Sequence, residues 1–158
     1  MKLNNLIKKY YLPRALIIGG GKGKEISELL KMGYEVHSVD PSYRKNIHRG
    51  KLFLHKEIIQ NFKFEKYSIV IAFNSLQFLG KDAEEIIKKV FNSCEIFIGS
   101  IPIKFRSKDI NKDCSIDFKS IIKPLKPIYI KEYWINDKPH QGVNFKHKHY
   151  MLDFIVKK

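Results

Sequence analysis

ALIIGGGKGKEISELLKMGYEVHSVDPS, residues 15 to 42, sets a glycine-rich turn between a buried strand and a helix, and its reading decides the fold. Ala15 to Ile18 is a short apolar run of the kind a strand shows when both its faces are covered, and Gly19, Gly20, Gly21 and Gly23 follow at once. Glycines there let backbone approach a ligand closely. Lys24 to Met32 carries Ile26, Leu29 and Leu30 at helical spacing, and Gly33 stands where a left-handed helix cap belongs. Tyr34 to Val39 is a second strand. It ends in Asp40, a carboxylate placed where an α/β sheet presents such a group to the hydroxyls of a ribose. The unit is β-α-β and reads as a nucleotide-cofactor pocket; the alternative is a glycine-rich turn that only makes a tight connection.

The dinucleotide fingerprint GxGxxG needs its third glycine at position 24, which is Lys24. The NAD pattern therefore fails. What stands instead is Gly19-x-Gly21-x-Gly23 followed by Asp40, and this resembles the first two motifs of class I S-adenosylmethionine-dependent methyltransferases. The resemblance implies S-adenosylmethionine as cofactor, S-adenosylhomocysteine as product, and cofactor contacts from Gly19, Gly20, Gly21, Gly23, Asp40, Pro41 and Ser42. The family usually carries an acid two positions before the first glycine, where this chain has Ile17. The run IIGGGKG also looks like spermidine synthases, which bind a decarboxylated form of the cofactor and usually carry aspartate after the glycines, where this chain has Lys22.

At 158 residues the chain is long enough for one core and leaves little room for a second domain. No run of about 18 apolar residues is present, and the start MKLNNLIKKYYLPR lacks the pattern of a signal peptide, so a soluble cytoplasmic protein is expected. Cys94 and Cys114 lie far apart with no metal or redox spacing and are expected to be reduced. The net charge of +14 suits a nucleic-acid partner. Arginine, however, stands only at Arg14, Arg44, Arg49 and Arg106, and an excess of lysine with plentiful isoleucine and asparagine also fits coding bias.

With the family's alternation as guide, Lys51 to His55 is a third strand and Tyr67 to Phe73 a fourth. Asp82 to Phe91 reads as an amphipathic helix, with Asp82 as cap, Glu85 as its box partner, and Ala83, Ile86, Ile87 and Val90 inward. Glu95 to Ser100 is a fifth strand, Pro102 and Lys104 to Asp113 a loop, and Ser115 to Ile122 a short helix. Ile128 to Ile135 and Tyr150 to Val156 follow as strands six and seven, an antiparallel hairpin because no helix separates them. The expected fold is a single Rossmann-like α/β domain over 1–158, a doubly wound three-layer α-β-α sheet, mostly parallel with an antiparallel last strand. Residues 13–158 form its core, and 1–12 an amino-terminal helix or lid.

Ligands of such a sheet bind beyond the carboxyl ends of its strands. After the fourth strand, Asn74-Ser75-Leu76-Gln77-Phe78-Leu79 resembles the family's segment that lines the methyl group and its acceptor. Asn74 and Ser75 would face the cofactor, and Gln77 would hold the acceptor by hydrogen bond. Alternatively Asn74 caps its own backbone in a simple turn. The segment lacks the tetrapeptide of amino-methylating DNA enzymes, the aspartate of aminopropyl transfer and the cysteine of cytosine-C5 methylation. Glu57 is the acid nearest the end of strand three and is the candidate for the adenine amino group, with a solvated surface carboxylate as the alternative reading.

The later rim loops hold Lys104, Arg106, Lys108 and Lys112, then Lys138, His140, Lys146, His147, Lys148 and His149. Lys104, Arg106 and His149 are assigned to an anionic acceptor, with solvated loop lysines as the bland alternative. His140 or His147 is the candidate general base. His147 and His149 share a side if the strand already begins there; a metal would need a third ligand, which His140 could supply, but no metal is expected. Trp134, Tyr133 and Phe145 flank these loops, to stack on a planar substrate or to pack in the core. The implied function is in-line methyl transfer to a small, anionic molecule. RNA as acceptor on the same fold, and a non-catalytic cofactor-binding domain, are the rivals.

Overall fold

The computed structural model describes residues 13–21, 23–107, 111–138 and 145–158. Among the described residues nine strands form one sheet, in the order β3-β4-β2-β1-β5-β6-β9-β8, with β7 added beside β6. The strands are β1 (Arg14–Ile18), β2 (Glu35–Val39), β3 (Ile47–Arg49), β4 (Leu52–His55), β5 (Tyr67–Phe73), β6 (Cys94–Arg106), β7 (Asn111–Asp113), β8 (Tyr129–Asp137) and β9 (His147–Lys157). The helices are α1 (Lys24–Lys31), α2 (Ala83–Ser93) and α3 (Phe118–Ile122).

Strands β4, β2, β1, β5 and β6 run parallel, and β9 lies antiparallel between β6 and β8. Side chains alternate across the sheet as the pleat requires. Leu16, Ile18, Val70 and Ala72 meet α2 and α3 on one face, while Ala15, Ile17 and Ile71 meet Ile26 and Leu29 of α1 on the other. Ile86, Ile87 and Val90 of α2 are buried as their spacing predicts, each worth roughly 1.5–3 kcal/mol. This is the α-β-α arrangement expected, thinly covered on the α1 side among the described residues. Order reverses at β1, where the chain passes from β4 back across to β5, and such switch points are where these sheets bind ligands.

The structure corrects the sequence reading in several places. Seven strands become nine, because Ile47–Arg49 doubles back on β4 through Gly50, whose φ of 59° suits the first position of a two-residue hairpin turn, and because Asn111–Asp113 pairs with the end of β6. β6 continues through Pro102 to Arg106: a register shift between Pro102 and Lys104 absorbs a residue that has no amide to donate. The capping box of α2 does not form; Asp82 makes no side-chain cap and Glu85 pairs with Lys89 instead. The short helix begins at Phe118 rather than Ser115, capped by Asp117, which accepts from the Ser120 amide. Cys94 and Cys114 are free thiols. The segment 1–12 and His140 lie outside the described residues. No helix among those described is long and apolar enough to cross a membrane.

Candidate functional site

The glycine turn is shaped by contacts that only glycine permits. Gly19, Gly21 and Gly23 hold φ of 76°, 47° and 80°, and Gly23 opens α1 with its amide bonded to the Gly20 carbonyl. A Cβ on Gly19 would stand 2.5 Å from Ser75 Cβ, and one on Gly20 would collide with the Ser38 and Tyr43 hydroxyls, which hydrogen-bond to each other at 2.7 Å. The turn is thus clamped between β2 and the segment after β5.

Asp40 closes it from the side. Its Oδ2 accepts the Gly21 amide at 3.0 Å, and its Oδ1 accepts the Ser42 amide at 2.8 Å and hydroxyl at 2.6 Å. Burial pushes this carboxyl upward, but the hydrogen bonds from Ser42 and Gly21 prevail and hold it below the usual aspartate value. Asp40 therefore stays ionised.

A cleft of about 360 Å³ opens beside it, at the carboxyl ends of β1, β2 and β5. Gly19, Asp40, Pro41, Asn74 and Ser75 line it, with an apolar wall from Ile58, Ile59 and Phe78; Gly20, Gly21 and Gly23 do not. Asn74 sits in the left-handed region at φ 51°, a strained conformation that asparagine tolerates, and so turns the chain sharply at the end of β5. The Ser75 hydroxyl and the Gln77 Oε1 are buried without hydrogen-bond partners, while Gln77 Nε2 donates to the Asn74 carbonyl at 2.8 Å. Buried orphans of this kind cost free energy until a ligand meets them.

Other assignments move. Glu57 lies outside the cleft, 4.0 Å from His55 Nδ1, and Gln60 lines the wall instead, one turn of 3-10 helix further on. Ser42 supports Asp40 rather than facing the cleft. Ile17 is 2 % exposed and packs under α1, so the position where the family carries an acid is core here. Glu25, in the first turn of α1, lines an adjoining cleft with Asn74 and Phe73.

Gln77, Lys104 and His149 come together in a third cleft, with Lys104 3.8 Å from Asp113. Arg106 lies apart, its guanidinium over the Trp134 ring, near the mouth that His147 shares with Asp137. His147 does not suit the general-base role: its Nδ1 contacts the Phe145 carbonyl at 3.0 Å and its Nε2 meets His149 Nε2, so both nitrogens are engaged within the protein. Trp134 packs on Tyr150, and Tyr133 donates to Asp153 at 2.7 Å.

No protein-family model matches the chain, and no curated protein sequence does. Solved structures do match. TehB from Haemophilus influenzae superposes with a TM-score of 0.67 at 15% identity, over 98% of this chain and 60% of its own. A phosphoethanolamine N-methyltransferase 2 of Haemonchus contortus, in complex with phosphomonomethylethanolamine and S-adenosylhomocysteine, gives 0.61 at 12% identity, over 98% and 52%. The magnesium protoporphyrin IX methyltransferase of Synechocystis PCC 6803, with bound S-adenosylmethionine, gives 0.56 at 15% identity, over 98% and 76%. The fold is that of the class I S-adenosylmethionine-dependent methyltransferases. The chain spans 60% of the length of TehB. Within this fold the Asp40 cleft occupies the switch point; Gln60 in its wall, Glu25 in the adjoining cleft, and Ser38 and Tyr43 behind the glycine turn belong to no spaced motif and so are not marked in the sequence.

Proposed function

We propose that the chain is an S-adenosylmethionine-dependent methyltransferase acting on a small, anionic acceptor. The reading rests above all on Asp40, an ionised carboxylate that lines the cleft while bonded back to the glycine turn. The residues present fit the cofactor. Asp40 accepts three hydrogen bonds of the roughly four a carboxylate can take, which leaves capacity for a ribose hydroxyl. The orphaned Ser75 hydroxyl and the space above Gly19 suit a polar ligand lying against the turn. Ile58, Ile59 and Phe78 suit a planar base, with the Gln60 amide in place of Glu57 for its polar edge. Glu25 offers, across the adjoining cleft, the carboxylate that Ile17 does not.

S-adenosylmethionine supplies, when bound, a methyl group made electrophilic by the positive charge on its sulfur. What the chain must add is alignment, worth about 7–11 kcal/mol for well-oriented partners, and this needs little acid or base chemistry. Gln77 Oε1, buried and turned to no partner, accepts a hydrogen bond from the acceptor, and Lys104 in the same cleft favours one with negative charge.

The test is a thermal shift series with S-adenosylmethionine, S-adenosylhomocysteine, NAD and decarboxylated S-adenosylmethionine, followed by transfer of labelled methyl to carboxylate and phosphate compounds and to RNA at graded salt. Stabilisation by the first two ligands and label in a small anionic product are expected. Label in RNA that falls steeply with salt would replace the small acceptor, binding without transfer would leave a cofactor-binding domain, and stabilisation by none would overturn the reading.

A further inference from the structure

At the far end of the sheet a second constellation is assembled by strand register alone. Asp137, the last residue of β8, stands directly opposite His147, the first of β9, and His149 follows two residues later on the same side. His147 Nε2 and His149 Nε2 are 3.0 Å apart, and Asp137 Oδ2 is 3.8 Å from each. An ion bonded at 2.0–2.2 Å to nitrogen and oxygen ligands holds them about 2.9–3.6 Å apart at angles from square to tetrahedral. The three atoms are thus within a few tenths of an ångström of sharing one ion.

We propose that Asp137, His147 and His149 bind a divalent transition-metal ion, zinc foremost, whose open coordination position takes an anion from the cleft outside. The site does not rest on the methyltransferase reading.

The outer contact of His147 is one that a metal-bound imidazole has. The His147 Nδ1–H donates to the Phe145 carbonyl, which fixes the tautomer that leaves the Nε2 lone pair pointing at the cluster. Phe105 stacks on His147 at 5.0 Å and meets His149 edge-on at 5.4 Å, so both rings are held in place by an apolar wall. Exposure is graded: the His147 side chain is 0% exposed, that of His149 18% and that of Asp137 40%. The cluster is closed by protein on the histidine side and open on the carboxylate side, the arrangement of sites that keep a position for an exchangeable ligand.

Two imidazoles and one carboxylate form a borderline donor set that suits zinc, iron or cobalt and does not suit magnesium or calcium, which prefer oxygen throughout; zinc binds more tightly than iron or manganese on such ligands. The mouth is cationic, with Arg106, Lys138, Lys146 and Lys148 around it. These charges oppose a bare cation. With one carboxylate among its ligands a divalent ion keeps a net positive charge, so ion and rim together attract a phosphate or carboxylate as the remaining ligand.

The competing account is a simple N–H···N hydrogen bond between the two imidazoles. Full-length protein, stripped with chelator and dialysed, is titrated with Co2+ and followed by visible absorption. One equivalent per chain is expected, without a thiolate charge-transfer band from Cys94 or Cys114, displaced by Zn2+ and not by Mg2+. Inorganic phosphate should shift the cobalt spectrum, and its failure to do so removes the anionic ligand from the proposal. His147→Ala and His149→Ala should each weaken binding by at least about 100-fold, beyond the loss typical of an outer-shell partner. Asp137→Asn, at a partly exposed position that keeps the side chain's shape, serves as the variant least liable to misfold, with circular dichroism of the metal-free protein as check. No cobalt binding, or binding unchanged in folded variants, would overturn the metal site.

Discussion

The Asp40 carboxylate and the Gly21 amide are joined at 3.0 Å, which ties the end of β2 to the turn after β1. One side chain therefore shapes the turn and, in the function proposed above, would also hold the ligand. Asp40→Asn keeps the size of the side chain but removes its charge and one acceptor. S-adenosylmethionine affinity should fall at least about tenfold, equivalent to one charge-assisted hydrogen bond of roughly 1.5–3 kcal/mol. Isothermal calorimetry reads it, and unchanged affinity would sink the ribose role. Because the folded pKa lies below the ordinary 3.8, Asp40 contributes stability above that pH and loses it as acid protonates the folded state.

Gly20→Ala should disturb the same turn from the other side. The new methyl collides with the Ser38 and Tyr43 hydroxyls, and overpacking of this sort costs about 1–3 kcal/mol. Removing both hydroxyls, by Ser38→Ala with Tyr43→Phe, should return most of the lost stability in a triple variant. Thermal melts of the four proteins decide it: no recovery would mean that the backbone itself, rather than the two hydroxyls, forbids a side chain.

The turn and Asp40 were legible because glycine spacing and a strand-end acid are local patterns, set by backbone freedom and by the pleat. Asn74 and Ser75 were legible for a similar reason, as the first residues after an unmistakable buried strand. Gln60 and Tyr43 were not, since they reach the site from a single 3-10 turn and an irregular loop, whose paths depend on packing against His55 and Ser38 rather than on any periodicity. Asp137 escaped for a different reason. The sequence reading ended β8 at Ile135 and began β9 at Tyr150, so the register that sets Asp137 against His147 could not be seen. Pro102 likewise hid the extension of β6, because a bulge that tolerates proline leaves no mark in composition.

Glu25→Gln tests the carboxylate proposed above to stand in for the absent acid. If Glu25 faces the cofactor's charged end, affinity for S-adenosylmethionine should drop about tenfold, the size of one charged contact, with the melting temperature of the free protein unchanged. Ile17→Asp, which restores the family's pattern in sequence, should do the reverse of restoring function. It places a carboxylate among Ile26, Leu29 and Ile71 at a position 2 % exposed, an uncompensated buried charge costing roughly 3–5 kcal/mol. A stable Ile17→Asp protein with tighter cofactor binding would refute this account of the site.

His37 and His55 give the fold a dependence on pH near neutrality. Their rings meet at 3.1 Å between Nδ1 and Nε2, and His37 is flanked by the Phe53 ring at 4.5 Å, with Arg14 and Glu35 at its other nitrogen. Burial lowers the His37 pKa most and the Arg14 charge lowers it further, against the pull of Glu35; burial and the neighbouring His37 lower that of His55. Both therefore bind protons more readily unfolded than folded. Their contribution is complete above the ordinary value of 6.5 and is lost as pH falls through the lower folded values. Melting temperature, measured with chelator present, should fall between about pH 7.5 and 5.5 in the parent and fall less in His37→Gln, which cannot take the charge. Equal slopes in the two proteins would assign the acid sensitivity to other groups.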